Sequence, residues 1–415
     1  MQKYTIRDFD REFPNDDARA MPRREQTIPA NGAVLKWARQ QRGYSPSEAA
    51  RLLGVSIPAL TQIEEGTTGP TAPVFRKMLS VYQQVESVLL FPEPPDSDPL
   101  PQDFRAVGGN QSMPSPETLY AIRDVRRIQH YVTDILEDEP ELLTHASISV
   151  GSLSDDPERL ASEERQRFGV TLKMQRAWRM GDDSFKRWRA RAQELGVLVF
   201  LKKMPRADCR GVALWDSGLV PAIVVNTEDK PNGAIYTLFH EYAHLVLRGS
   251  GACALNTRSD RQAVENWCNK FAAAFLIPRE ELRESVARRF PALGPDNWTT
   301  KDIRLLSTEY KVSRVAIARR LEELGFSHYY TTHADELYLF DQERTRESEA
   351  AGGPLPEVIR LSEVGYGTAT VIIEAMNSQI IDTFEAADIL GLKVDQLGKF
   401  EERAAVQRRR DTFVA

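Results

Sequence analysis

Phe239 to Val246 reads FHEYAHLV. Positions four apart lie on one face of an α-helix about one turn from each other, so His240 and His244 can offer two imidazoles to a single ion. Glu241 stands beside the first of them and can take a proton from a water on that ion without filling a coordination position. Three fixed residues recur by chance roughly once in 8,000 positions, about one chain in twenty of this size, so the motif alone does not establish a metal site. A catalytic Zn2+ takes three protein ligands and leaves a fourth position open. Glu265, 21 residues after His244 in SDRQAVENWCNKFAAAFLIP, is the candidate third ligand; a solvated helix glutamate is the alternative reading.

Two helices must carry these groups. Ile235, Leu238, Phe239, Tyr242 and Leu245 give the first an apolar stripe, with Asn232 as its cap and Gly249 beyond its end. The second has Ser259 and Gln262 at capping-box spacing, and Val264, Trp267, Phe271 and Phe275 as its buried face. Ahead of them GVLVFLKKM, GVALW and PAIVVNT are short runs rich in β-branched residues and predict a small sheet. The last of these could align an extended substrate by edge pairing, with Asn226 as a substrate-binding residue near its end. Tyr310 is a candidate oxyanion stabiliser, though no spacing requires it.

The 415 residues exceed the usual size of one core and point to several domains. Hydrophobic and charged contents of 41% and 27% are those of a soluble globular protein. No apolar run approaches the roughly 20 residues of a membrane span, and the opening MQKYTIRDFDREF lacks a secretory h-region, so a cytoplasmic location is expected. Cys209, Cys253 and Cys268 form no CxxC pair, which fits a reducing compartment and leaves any metal to histidine and carboxylate. A net charge of −6 argues against attraction of the whole molecule to nucleic acid but allows a local basic face.

The wording around the HExxH helix goes further. AIVVNTEDKPNGAIYTLFHEYAHLVL, then ENWCNKFAAAFLIP, then LSTEYKVSRVAIARRLEELG resembles the ImmA/IrrE family of metallopeptidases, with four motifs in order over about 195 to 326. The resemblance implies His240, His244 and Glu265 as zinc ligands and Glu241 as general base, the assignments that helix geometry also proposes. Cys268 stands where the family usually has alanine, and GAIYTLF replaces a more polar approach to the helix. The family commonly acts on a repressor or antitoxin, in stress, mobile-element or toxin-antitoxin settings.

Residues 31 to 84 read as short helices. Ser45, Pro46 and Glu48 start one that Gly54 ends, and Ser56 caps the next, which ends near Gly66. The segment resembles the XRE or lambda-repressor-like family, which has five helices with the second and third as the reading unit. Ser56, Thr61 and Gln62 are the candidate base or phosphate contacts, with Lys36 and Arg42 as cationic DNA-binding residues; the segment carries about three net positive charges. The alternative is a helical module that docks a protein. His130, His145, His328 and His333 have no partners at ligand spacing and read as surface or packing residues. A short echo, SEAARLLGV at Ser47 and FEAADILGL at Phe384, is of a kind that arises easily by chance.

The expected fold is mainly α with a small β-sheet (α+β). Its parts would be a mobile arm over 1–29, a five-helix lambda-repressor-like domain over 30–90, a proline-rich linker over 91–114, and a helical connector over 115–194. A zincin-like metallopeptidase domain over 195–328 and a small C-terminal α/β domain over 329–415, opening with strand-like HADELYLF, would follow. The expected function is a DNA-binding regulator with zinc-dependent endopeptidase activity on a repressor- or antitoxin-type protein, with no membrane partner and a homodimer left open. The alternative is a non-catalytic regulator or antitoxin whose zincin fold senses a ligand or holds a partner.

Overall fold

The computed structural model describes residues 27–82, 84–95, 114–144, 146–247, 258–342 and 355–412. They fall into two compact units, one within Met1–Ser97 and one within Asp98–Ala415. Most of the expected arm, most of the proline-rich linker, His145 and the loop 248–257 with Gly249 and Cys253 lie outside the described residues.

Among its described residues the first unit has five helices, α1 (Gly32–Gln41), α2 (Pro46–Leu53), α3 (Ile57–Glu64), α4 (Ala72–Tyr82) and α5 (Glu86–Leu89). Ser45 and Glu48 close a capping box at the start of α2, and Gly54 ends it in the left-handed region at φ 75°. Ser56 caps α3 by accepting from the Ala59 amide at 3.3 Å. Leu35, Ala38, Ala49, Leu53, Leu60, Phe75 and Met78 form the core beneath them. Thr27 pairs with Thr71, and the Ile28 amide donates to the Pro70 carbonyl, so the last residues assigned to the arm belong to this fold.

The second unit is built on a three-stranded sheet of order β1 (Leu198–Lys202), β3 (Ala222–Asn226), β2 (Gly211–Leu214). β1 runs parallel and β2 antiparallel to β3. All five residues of β3 are buried because helices cover both faces of the sheet, which makes its strands read as continuous apolar runs. Val199, Ala213, Ile223 and Val225 point into one core with α7 (Pro157–Arg167), α9 (Asp182–Glu194), α10 (Pro231–Leu247) and α11 (Arg258–Leu276). Leu198, Phe200, Val212, Leu214 and Val224 point into the other, with α6 (Pro116–Asp138), α16 (Pro356–Asn377), α17 (Thr383–Leu390) and α18 (Val394–Thr412). α8 (Leu172–Ala177), α12 (Arg279–Arg289), α13 (Thr300–Tyr310), α14 (Arg314–Glu323) and α15 (Tyr329–Gln342) complete the first side.

This arrangement departs from the sequence expectation in two places. From the segments read as a connector and as a separate C-terminal domain, α6 and α16 to α18 cover one face of the sheet while α7 to α9 and α15 join the core on the other, because β1, β2 and β3 have apolar residues on both faces. HADELYLF lies in α15, not in a strand. The helix kinks at His333, whose φ of −132° and ψ of 24° are not helical and whose ring stacks on Tyr329 with centroids 4.2 Å apart; the residues after it are helical, with Leu337 buried.

The sequence echo also has a structural counterpart. α17 opens with an Asp382–Glu385 capping box and ends at Gly391 with φ 61°, as α2 opens with Ser45–Glu48 and ends at Gly54. At one constant offset, Ala386, Ala387, Leu390 and Leu397 are buried as Ala49, Ala50, Leu53 and Leu60 are. A helix, a left-handed glycine and a second helix therefore occur in each unit.

Candidate metal centre

α10 starts at Pro231, which suits the first helical position, and the Lys230 carbonyl accepts from the Ala234 amide at 2.8 Å. Asn232 therefore lies inside the first turn and is not the cap. Ser259 likewise lies inside α11. The two helices are locked by aromatic packing: Phe239 stacks on Phe275 at 4.0 Å, with Phe168 and Trp188 edge-on or tilted around them. Tyr242, on the buried side of α10, donates to the Glu164 carboxylate of α7 at 2.5 Å.

That packing brings His240, His244 and Glu265 together, with one ligand atom from each within 4.8 Å of the others. The two Nε2 atoms are 3.3 Å apart; Glu265 Oε2 is 3.2 Å from His240 Nε2, and Oε1 is 3.4 Å from His244 Nε2. Tetrahedral zinc with ligand bonds of about 2.0–2.2 Å separates neighbouring ligand atoms by about 3.3–3.6 Å, so each pairwise approach is close to the spacing the ion requires, the two histidines facing different oxygens of Glu265. Burial alone would raise the Glu265 carboxyl, but hydrogen bonds from His240 and His244 hold it well below the usual carboxylate range. Glu265 is therefore an anionic donor.

Glu241 is 8% exposed, and β2 passes against it. A Cβ added at Gly211 would stand 2.8 Å from Glu241 Cγ and 2.6 Å from Thr237 Cγ2, so only glycine leaves room for the carboxylate there. The Cys268 thiol, one turn beyond Glu265, bonds to His244 and is pushed up by its burial. The sequence signalled Cys268 as a departure from the family's alanine, whereas the glycine opening a strand, Gly211, is a signal that motif reading passes over.

Two other candidates stand elsewhere than expected. Asn226 is 1% exposed, and its amide donates to the Met204 and Cys209 carbonyls at 2.8 and 2.9 Å while accepting from the Met204 and Glu228 amides at 3.2 and 3.0 Å. It ties two loops together and has no surface for substrate. Its strand β3 is central, so edge pairing on PAIVVNT is excluded by β1 and β2 on either side. Tyr310 is fully buried with its hydroxyl bonded to Ser285 Oγ at 3.2 Å, and it stabilises no oxyanion at the cluster. Of the remaining histidines, His328 pairs with Asp296 at 2.7 Å and His333 packs on Tyr329.

In the first unit, Ser56, Thr61 and Gln62 are exposed on α3 and Lys36 is exposed on α1. Arg42 follows α1, half-buried, with its guanidinium 5.9 Å from the Tyr44 ring centre. Arg39 and Glu64 form a buried pair at 2.6 Å that ties α1 to α3, so both leave the charge presented to solvent. Lys77 Nζ donates to the Leu53 carbonyl at the end of α2.

Residues 192–322 match the family model of the IrrE N-terminal-like domain, a peptidase family, and residues 32–88 match that of a helix-turn-helix domain. No curated protein matches the chain. The chain thus joins a helix-turn-helix domain to an ImmA/IrrE-type metallopeptidase-family domain, the fusion that its motifs implied. No helix among the described residues is long and apolar enough to cross a membrane.

Proposed function

We propose that the second unit is a zinc-dependent endopeptidase that cleaves a specific regulatory protein of repressor or antitoxin type, and that the helix-turn-helix unit brings it to DNA or to a DNA-bound partner. The observation that carries this reading is the convergence of His240, His244 and Glu265, with one ligand atom from each within 4.8 Å of the others and each histidine Nε2 within 3.4 Å of a Glu265 oxygen, on top of the family match. His240, His244 and Glu265 would hold the ion. Zinc, when bound, supplies a positive centre that acidifies water and polarises a peptide carbonyl. Glu241 accepts the proton of the attacking water and returns it to the leaving amine. β2 is an edge strand beside Glu241, so its free side is the place where an extended chain would pair.

Zinc per chain in wild type, His240→Ala, Glu265→Ala and Glu241→Gln proteins tests the metal, and cleavage of candidate repressors encoded near the protein tests the reaction. About one zinc in wild type and Glu241→Gln, with strong loss in the other two, supports the reading. Metal-free wild type, or binding indifferent to Glu265, rejects it.

A further inference from the structure

A cavity of about 240 Å³ opens where the start of α10 meets the start of α14, lined by Arg206, Arg210, Lys230, Asn232, Tyr236 and Arg319 among others. One carboxylate, Asp229, faces these four cations, and it is already bonded to Arg206 and to Thr237 Oγ1, each at 3.3 Å. Lys230 Nζ and Asn232 Oδ1 are buried and have no hydrogen-bond partner within the protein. A buried ammonium without a partner is strongly unfavourable, so an acceptor is called for at Lys230 and a donor at Asn232. The first turns of the two helices add amides that lack intrahelical acceptors and carry the positive ends of the helix dipoles. Arg319 is held at the rim with its guanidinium 4.9 Å from the Tyr330 ring centre. Tyr236 precedes His240 by four residues, which places this wall of the cavity just over one helical turn, about 6 Å, along α10 from the metal cluster.

We propose that this cavity is a subsite for an acidic residue of the bound polypeptide. The side-chain carboxylate accepts from Lys230, with Arg210 and Arg319 supplying further positive charge, and a neighbouring peptide N–H donates to Asn232 Oδ1. A fully ionised oxyanion such as sulfate would satisfy Lys230 and leave Asn232 without its donor. The peptide thus matches both orphaned atoms. The assignment rests on the peptidase reading for its occupant, but occupancy can be measured without turnover.

The test is isothermal titration of the full chain with N-acetyl-glutamate N-methylamide, N-acetyl-glutamine N-methylamide and sulfate, in wild type, His240→Ala, Lys230→Met and Arg319→Gln proteins. The glutamate compound should bind wild type and His240→Ala alike, and the glutamine compound should bind at least tenfold more weakly. Lys230→Met and Arg319→Gln should each weaken the glutamate compound by tenfold or more. Lys230→Met should melt no lower than wild type, because it removes an unpaired buried charge; a lower melting temperature would make Lys230 structural and overturn the proposal. Loss of binding in His240→Ala would move the carboxylate to the metal cluster, and binding of sulfate alone would give the cavity to a free anion; either result overturns it as well. If glutamate binding behaves as expected while zinc or cleavage is absent, the peptidase reading fails and the carboxylate site stands.

Discussion

Glu241 has its place because Gly211 has no side chain, and two substitutions separate its proposed role as base from the proposed metal site. Glu241→Gln should keep zinc and lower turnover of a cognate substrate by about 10²- to 10⁴-fold, read as kcat with zinc content measured on the same sample. Gly211→Ala drives a Cβ to within 2.6–2.8 Å of Thr237 and Glu241, so it should displace the base while the ligands on α10 and α11 hold their spacing. An activity loss on the order of 10²-fold with one zinc retained is expected, and zinc loss in that variant would show that the contact supports the ligands as well. Cys209, pushed up to about 12 by burial with the charges of Glu241 and Asp208 adding to it, should resist alkylation at neutral pH until the protein is unfolded.

At the scale of elements, the joins between helices and sheet are ionic as well as apolar. Asp124 of α6 accepts from Lys202 of β1 at 2.7 Å and from Arg360 of α16 at 2.9 Å, and both cations also reach Glu363 at 2.8 Å. Burial alone would raise the Asp124 carboxyl, but the Arg360 hydrogen bond and the two positive charges hold it well below the usual range. A depressed carboxylate contributes stability above its unfolded value of about 3.9, and that contribution is lost as pH falls through its folded value. Asp124→Asn should therefore cost about 3 kcal/mol at neutral pH, and the difference from wild type should shrink below about pH 4; denaturant unfolding across pH measures both. In the first unit, a Cβ at Gly32 would lie 2.5 Å from the Ile63 carbonyl oxygen and 2.7 Å from that of Glu64. Gly32→Ala should push α1 from α3 and destabilise that unit by about 1–3 kcal/mol, seen as a lower melting temperature and weaker DNA binding.

For the whole molecule, truncation is the informative experiment. Removing 355–415 would strip α16, α17 and α18 from Leu198, Phe200, Val212, Leu214 and Val224 of the sheet. Such a chain should be insoluble or lack cooperative melting, although its zinc motifs are intact; a stable, zinc-binding 195–328 fragment would contradict this. The exposed cations of the first unit include Lys36, Arg51 and Arg76. DNA affinity should fall with added salt, and Lys36→Ala should weaken binding evenly across sequences, whereas Gln62→Ala should relax preference at particular positions.

That His240, Glu241 and His244 share one helix and that Glu265 lies on the next was legible in the sequence because helical spacing is a local property, and so were the capped starts of α2 and α3 and the apolar strands; the roles of these four residues belong to the proposal. Tertiary structure alone decided the rest. Whether Glu265 faces the histidines depends on how Phe239 stacks on Phe275. That Asn226 is buried in a central strand depends on the order β1, β3, β2, which no spacing within PAIVVNT encodes. That the C-terminal helices cover the sheet, and that Lys230 meets Arg319 across two helix starts, are encounters between residues far apart in the chain. Local periodicity specifies which face of an element is apolar, but not which distant element will cover it.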